Sequence, residues 1–277
     1  MAAILSATDA VRFAVGEGGV ATITLNDPAR LNPLSQALVV GLREALQRVR
    51  DDRSVRVLVL TGVGKAFCVG ADLAAMSAGA DPGSATSLGE QTGATMDVVN
   101  AEVVRGLREL PVPVLCALNG AAAGGGVGLA LACDIVVATR SAYFYLPFMP
   151  SLGVVPDMGS SWLLPRALGR PRAMALSLLG DRLSAEAAQR DGLIWSCVDD
   201  ASFAGEVERI AARLAALPPD AAPELRRLYD AAGRNDLGAQ LQYERDRQSV
   251  LLDGEAFAEG VRAFAGKRKP MFRGRPS

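Results

Sequence analysis

From Leu110 to Cys133 the chain runs for 24 residues without a charge. A stretch of that kind must be buried, in protein or in lipid, and about 20 apolar residues are enough to cross a bilayer. This one carries Pro111, Pro113 and Asn119, with glycines at 120, 124, 125, 126 and 128. Those breakers divide it into a buried strand, a glycine-rich turn and a buried helix, and argue against a membrane span. The rest of the chain can bury such a segment, because half of its 277 residues are hydrophobic and only 21% are charged.

Around that segment the pattern alternates. Val20–Leu25 (VATITL) reads as a strand ended by Asn26-Asp27-Pro28. Ser35 is placed to cap a helix whose apolar residues Leu38, Leu42, Ala45, Leu46 and Val49 recur with the helical period. Val55–Thr61, Pro113–Leu118 and Ile135–Ala138 are further apolar, β-branched runs that read as strands. Residues 74–95, rich in Gly, Ala, Ser and Thr, suggest a mobile loop or a loosely formed helix. Gly169, Gly180 and Gly192 each follow an amphipathic segment, as helix-ending glycines do. From about Phe203 the pattern is helical only. The expectation is an α/β body over residues 1–200 and a helical region over 201–277, with no internal repeat at a fixed period.

Composition excludes several kinds of chemistry. The chain has no histidine, which removes His-based triads, His metal sites and imidazole acid/base catalysis. Proton transfer must then use a carboxylate, Tyr, Lys, Cys or water. Cys68, Cys116, Cys133 and Cys197 lack metal-ligand spacing and read as free thiols of a reducing cytoplasm. A net charge of −1 gives no pull toward nucleic acid or anionic membrane. Met1–Thr8 lacks the basic start of a signal peptide.

Two glycine-containing turns carry the functional reading. The first is Lys65-Ala66-Phe67-Cys68-Val69-Gly70-Ala71-Asp72-Leu73, after a strand, and the second is Asn119 to Gly128, running from a strand into a helix. Glycines at a helix start admit close approach of a ligand, and the free N–H groups there favour negative charge. Either turn alone is equally explained by close packing. Neither has the spacing of a dinucleotide-binding fingerprint.

Taken in order, the two turns resemble the enoyl-CoA hydratase/isomerase (crotonase) family. So do Arg30-Leu31-Asn32-Pro33-Leu34-Ser35, Cys133-Asp134-Ile135, Leu152 to Asp157, Leu164-Pro165-Arg166, Gly180-Asp181-Arg182, Ala188 to Leu193 and Phe264 to Phe272. The resemblance implies a β-β-α spiral body, a helical C-terminal region that assembles trimers or hexamers, and a coenzyme A thioester substrate with no further cofactor. The family's two oxyanion-hole N–H groups fall on Ala71 and Gly125. Arg30, Leu31, Val69, Gly70 and Leu73, with Gly124 and Gly128 of the second turn, match positions that line the CoA and substrate. Lys267 and Lys269 match a basic segment near a CoA phosphate, in some members contributed by a neighbouring subunit.

The departures from that pattern bear on mechanism. The two glutamates of the hydratases would fall at Gly128, which has no side chain, and near Met149 or Pro150, which are not acids. Asp157 is the nearby acid, and several isomerase-like branches of the family carry an essential Asp at this position. One carboxylate can move a double bond by taking a proton from one carbon and returning it two carbons away. The alternative for Asp157 is a helix cap ahead of Trp162. Cys68 reads as a small core residue, and Tyr143, Phe144, Tyr145 and Phe148 as core or acyl-pocket wall. The tail Lys267–Arg275 reads as a solvated subunit edge. Double-bond isomerisation through Asp157 leads, with enoyl-CoA hydration and a non-catalytic acyl-CoA binder as rivals.

Overall fold

The computed structural model describes residues 5–78 and 86–275. Strands β1 (Leu5–Thr8) and β2 (Val11–Val15) form an antiparallel edge next to β3 (Val20–Leu25), which pairs in parallel with β4 (Val57–Gly62). The sheet continues in parallel through β6 (Val114–Leu118), β8 (Ile135–Thr139) and β11 (Ser196–Val198). A second sheet is built from β5 (Ala66–Cys68), β7 (Ala121–Ala123), β9 (Tyr143–Tyr145) and β10 (Leu183–Ser184). Its strands have two or three residues, and β5, β7 and β9 sit directly after long ones. Strand, turn, short strand and helix thus recur as β4–β5–α2 (Leu73–Ala78), β6–β7–α5 (Gly125–Leu131) and β8–β9–α6 (Ser160–Leu179).

Alternation along the central strands separates two cores. Leu58, Leu60, Cys116 and Leu118 belong to the larger core, which also holds Leu38, Leu42, Ala45, Leu46 and Val49 of α1 (Gln36–Asp51), all fully buried. Each buried large side chain of that stripe is worth ~1.5–3 kcal/mol over its exposed state. Val57, Val59, Leu115, Ala117 and Val137 face the other way and pack on Ile210 and Ala211 of α8 (Phe203–Ala215). The Ser35 cap is present, its hydroxyl accepting from the Leu38 N–H at 3.3 Å. The strands expected at 20–25, 55–61, 113–118 and 135–138 are present as Val20–Leu25, Val57–Gly62, Val114–Leu118 and Ile135–Thr139.

Within the segment 74–95, residues 74–78 and 88–95 are helical, the second of the two expected alternatives. Helix α2 begins it, and α3 (Leu88–Val99) opens with a capping box in which Ser87 and Glu90 satisfy each other's backbone N–H. Residues 79–85 lie outside the described residues. One helical turn continues α3 into α4 (Arg105–Arg108). Gly169 breaks α6 with a left-handed φ of 75°, Gly180 ends it, and α7 (Ala185–Arg190) follows, ahead of Gly192.

Helices α9 (Ala221–Ala232), α10 (Leu237–Leu252) and α11 (Glu255–Ala265) complete the chain. Arg226 anchors α9 to the body: it grips both oxygens of Asp134 (2.6 and 2.5 Å) and the carbonyls of Leu110 and Val112 (2.5 and 3.0 Å). The tail departs from the solvated edge expected of it. Arg275 is buried and donates to the Val49, Arg50 and Asp52 carbonyls at the C-terminus of α1, while Arg56 holds the Arg273 carbonyl at 2.7 Å. A cation among the last free carbonyls of a helix satisfies them. No helix among the described residues is long and apolar enough to cross a membrane, and the uncharged segment 110–133 folds as β6, β7 and α5.

Candidate active site

The site forms where the long strands hand over to the short ones. After β4, residues 62–66 turn sharply, and two asparagines brace the turn. Asn32, fully buried with a left-handed φ of 55°, accepts from the Asp27 N–H at 2.7 Å and donates to the Val63 and Ala66 carbonyls at 3.1 and 2.9 Å. Asn119 accepts from the Gly62 N–H at 2.9 Å and donates to the Gly64 carbonyl at 3.1 Å. Asn32, buried completely, persists there because it is paired. The two asparagines fix the path of β5 and of the residues that follow it, up to Ala71.

The two glycine turns meet. Gly70 has a left-handed φ of 84°, and a Cβ added to it would lie 2.8 Å from the Gly125 nitrogen and 2.9 Å from the Ala123 carbonyl oxygen. Only glycine satisfies both the backbone conformation and the contact. Gly70 also accepts from the Leu34 N–H at 2.8 Å, which draws the Asn32–Leu34 segment onto Ala71 as an isolated bridge. Ala71, one residue past Gly70, and Gly125, the first residue of α5, therefore stand side by side. The Gly125 amide belongs to the first turn of a helix, whose N–H groups have no partner within that helix.

Asp157 faces the same place. The position that a Cβ on Gly125 would take lies 3.3 Å from Asp157 Oδ1, 3.1 Å from Leu34 Cδ1 and 3.0 Å from Met158 Cγ. Asp157 Oδ1 is buried and has no hydrogen-bond partner. Burial pushes the carboxyl above its ordinary range, partly offset by its own backbone N–H. The alternative role as a cap is not taken up: Gly159 occupies the N-cap of α6, and no side chain caps that helix. An unpartnered buried carboxylate oxygen is costly to keep and is found where function requires it.

Gly128 sits one turn into α5 with no room for a side chain. A Cβ there would lie 2.3 Å from the Met158 carbonyl oxygen and 2.6 Å from Met158 Cβ. Phe148 closes another wall, its Cζ lying 3.8 Å from the Cβ position of Gly124. Leu31 and Leu73 are exposed beside the first turn, and Arg30 is tied to Asp72 at 2.6 Å and to Asp27 at 2.7 Å. Val69 is half-buried, and its carbonyl lies 3.6 Å from the Gly124 Cβ position. Lys267 and Lys269 are exposed beyond α11, and among the described residues no ion pair links them to these groups. The tail that carries them is anchored just before β4, where Arg56 holds the Arg273 carbonyl.

Cys68 lies within the first turn, and burial pushes its thiol up to about 12, so it stays protonated and inert. Among the described residues, no group of three His, Cys, Asp or Glu could hold a metal ion.

Residues 16–275 match the family described as enoyl-CoA hydratase/isomerase. The chain belongs to that family. It is 43% identical over 259 residues to a 1,2-epoxyphenylacetyl-CoA isomerase of Escherichia coli K12, covering 94% of this chain and 97% of the relative. It is 40% identical over 268 residues to a probable enoyl-CoA hydratase of Rhodobacter capsulatus, covering 96% and 98%. The crystal structure of an enoyl-CoA hydratase from Bacillus anthracis superposes with a TM-score of 0.86 at 32% identity, covering 96% of this chain and all of that one. The recurring β-β-α unit is thus the crotonase spiral, and this hydratase/isomerase-family chain is an enzyme of that fold.

Met158 and Asn32 are the site residues that sequence reasoning did not single out. Asn32 lies inside the segment 30–35, and only its complete burial reveals its part. Met158 carried no signal of its own, because its part depends on an overlap with a residue in another element.

Proposed function

We propose that this enzyme isomerises the double bond of an enoyl-CoA thioester, with Asp157 as the proton carrier. The observation that carries the reading is the Asp157 carboxylate oxygen, buried, unpaired and 3.3 Å from the Cβ position of Gly125. The ionised carboxylate takes the proton from C2 of a 3-enoyl thioester, and the resulting negative charge moves onto the thioester oxygen. The N–H groups of Ala71 and Gly125 hold that oxygen, and one such donor is typically worth ~10²–10³ in rate. Asp157 then returns the same proton to C4, leaving the 2-enoyl thioester, so atoms and charge balance. Burial makes the carboxylate a stronger base than a solvated one. No cofactor is needed beyond the coenzyme A of the substrate.

Arg30, Leu31, Val69, Gly70, Leu73 and Gly124 are proposed to line the CoA and acyl group. Lys267 and Lys269 are proposed to meet a CoA phosphate, on their own or on a neighbouring subunit. Exposed apolar residues on the last helices, among them Leu237, Leu241, Val261 and Phe264, support trimeric or hexameric assembly. The substrate range is proposed to include ring-bearing acyl groups, a reading supported by the name of the isomerase relative. Hydration is the second reading, favoured by the hydratase name of the Rhodobacter relative. Incubating the purified enzyme with 2-enoyl, 3-enoyl, dienoyl and ring-epoxide thioesters separates the two. Isomerisation of the 3-enoyl substrate is expected, and brisk hydration of the 2-enoyl substrate without isomerisation would replace it.

A further inference from the structure

Met158 is held in an unfavourable backbone conformation at the centre of the site. Its φ is +51°, it is almost fully buried, and Gly159 after it is also left-handed, with φ +78°. A non-glycine residue in that region costs free energy and persists where its surroundings demand it. The surroundings here are Gly125 and Gly128 of α5. The Met158 carbonyl and Cβ fill the space into which a side chain at position 128 would grow, and its Cγ lies 3.0 Å from the Cβ position of Gly125. The same Gly125 point is 3.3 Å from Asp157 Oδ1. Met158 and the proposed proton carrier therefore bound one small volume beside the oxyanion donor.

An ordered water in that volume would need polar partners, about three on average. The three atoms nearest the Gly125 Cβ position are Met158 Cγ, Leu34 Cδ1 and Asp157 Oδ1, and of these only the carboxylate oxygen can hydrogen-bond a water. Hydration needs a water held against C3 of a 2-enoyl thioester, adding its oxygen there and a proton to C2. Isomerisation needs none, and is protected when water is kept out.

We infer that Met158 is the specificity-determining residue that commits this site to isomerisation, by occupying the space a substrate-attacking water would take. The inference rests on the isomerase reading above and names what enforces it. Met158→Ala removes three heavy atoms, more than one water requires, and leaves Asp157 as the base for that water. Met158→Gly opens the same space and also relieves the left-handed backbone, so it guards against a variant that fails to fold.

The test measures two rates for wild type and both variants in ¹⁸O-labelled water: conversion of a 3-enoyl to a 2-enoyl thioester, and label incorporation into the 3-hydroxyacyl product. The hydration-to-isomerisation ratio is expected to rise roughly tenfold or more in both variants, the change produced by a single shifted transition-state contact. Folded variants that isomerise and take up label no faster than wild type would overturn the role of Met158 while leaving the isomerase reading intact. Variants that both unfold would make Met158 a packing residue only, and overturn it as well. A wild type that isomerises nothing across the panel would remove the reading on which the inference stands, and the inference with it.

Discussion

Placing a single methyl group at position 128 tests how tightly the site is built. Glycine in a helix interior is ordinarily worse than alanine by ~0.5–1 kcal/mol, so Gly128→Ala would stabilise an unconstrained helix. Here the new Cβ would sit 2.3 Å from the Met158 carbonyl oxygen and 2.8 Å from its carbonyl carbon. An ordinary carbon–oxygen contact is ~3.3–3.6 Å, so the Met158 backbone must retreat by about 1 Å. Overpacking of this kind costs ~1–3 kcal/mol, and the clash is with backbone that cannot swing aside. Taking the upper end and subtracting the helix gain leaves a net loss of ~2 kcal/mol, or about 4–8 °C in Tm for a chain of this size. The shift also moves Asp157, the neighbour of Met158, and a 1 Å displacement of a reacting group can cost ~100-fold in turnover. Thermal unfolding followed by circular dichroism, with kcat for the 3-enoyl thioester, reads both. Gly128→Glu, which restores the acid that hydratases carry here, is expected to be worse still and to gain no hydration. A Gly128→Ala variant as stable and as active as wild type would refute the close approach of α5 and the Asp157–Gly159 turn.

Asp157→Asn is expected to match or exceed the wild-type Tm at neutral pH. Burial raises the folded-state pKa of Asp157, so its contribution to stability is present below the ordinary carboxylate pKa and lost as pH rises through the raised value. The Asn advantage should therefore shrink on acidification, and melting curves from neutral pH down to about 4, the model-carboxylate region, would show it. Turnover should fall on the acid side as the Asp157 carboxylate takes up a proton, with the inflection above the ordinary Asp range; a flat acid limb in a kcat–pH profile would contradict this. Arg226→Ala should destabilise the protein by ~3 kcal/mol, because it leaves Asp134 and two carbonyls without their cationic donor. Urea unfolding would measure that loss, and a change within error would show that α9 is held by other contacts.

Much of the main sheet was legible because its central strands are buried on both faces and read as unbroken apolar runs, as Val57–Leu60 and Val114–Leu118 do. The second sheet was not, since β5, β7 and β9 have three residues each and no period can be read from three positions. Helix α3 was obscured by Gly and Thr of low helix propensity, although Ser87-Leu88-Gly89-Glu90 carried the capping-box spacing that would have marked its start. Sequence resemblance singled out both turns and Asp157, and the structure brings Gly70, Gly125 and Asp157 together. What it could not give was the reason Gly128 lacks a side chain. That reason is the Met158 backbone, a residue distant in sequence whose position is set by the tertiary fold.

The central claim is that Asp157 moves the proton, and the most direct test compares Asp157→Asn with wild type on one 3-enoyl-CoA thioester. Asparagine keeps the shape and removes the base, so conversion to the 2-enoyl isomer should be abolished while the thioester Kd stays nearly unchanged. That split is expected of a group that acts in the transition state and adds little to ground-state binding. An Asn variant that still isomerises at the wild-type rate would contradict the account, and so would one that loses thioester affinity in step with its turnover.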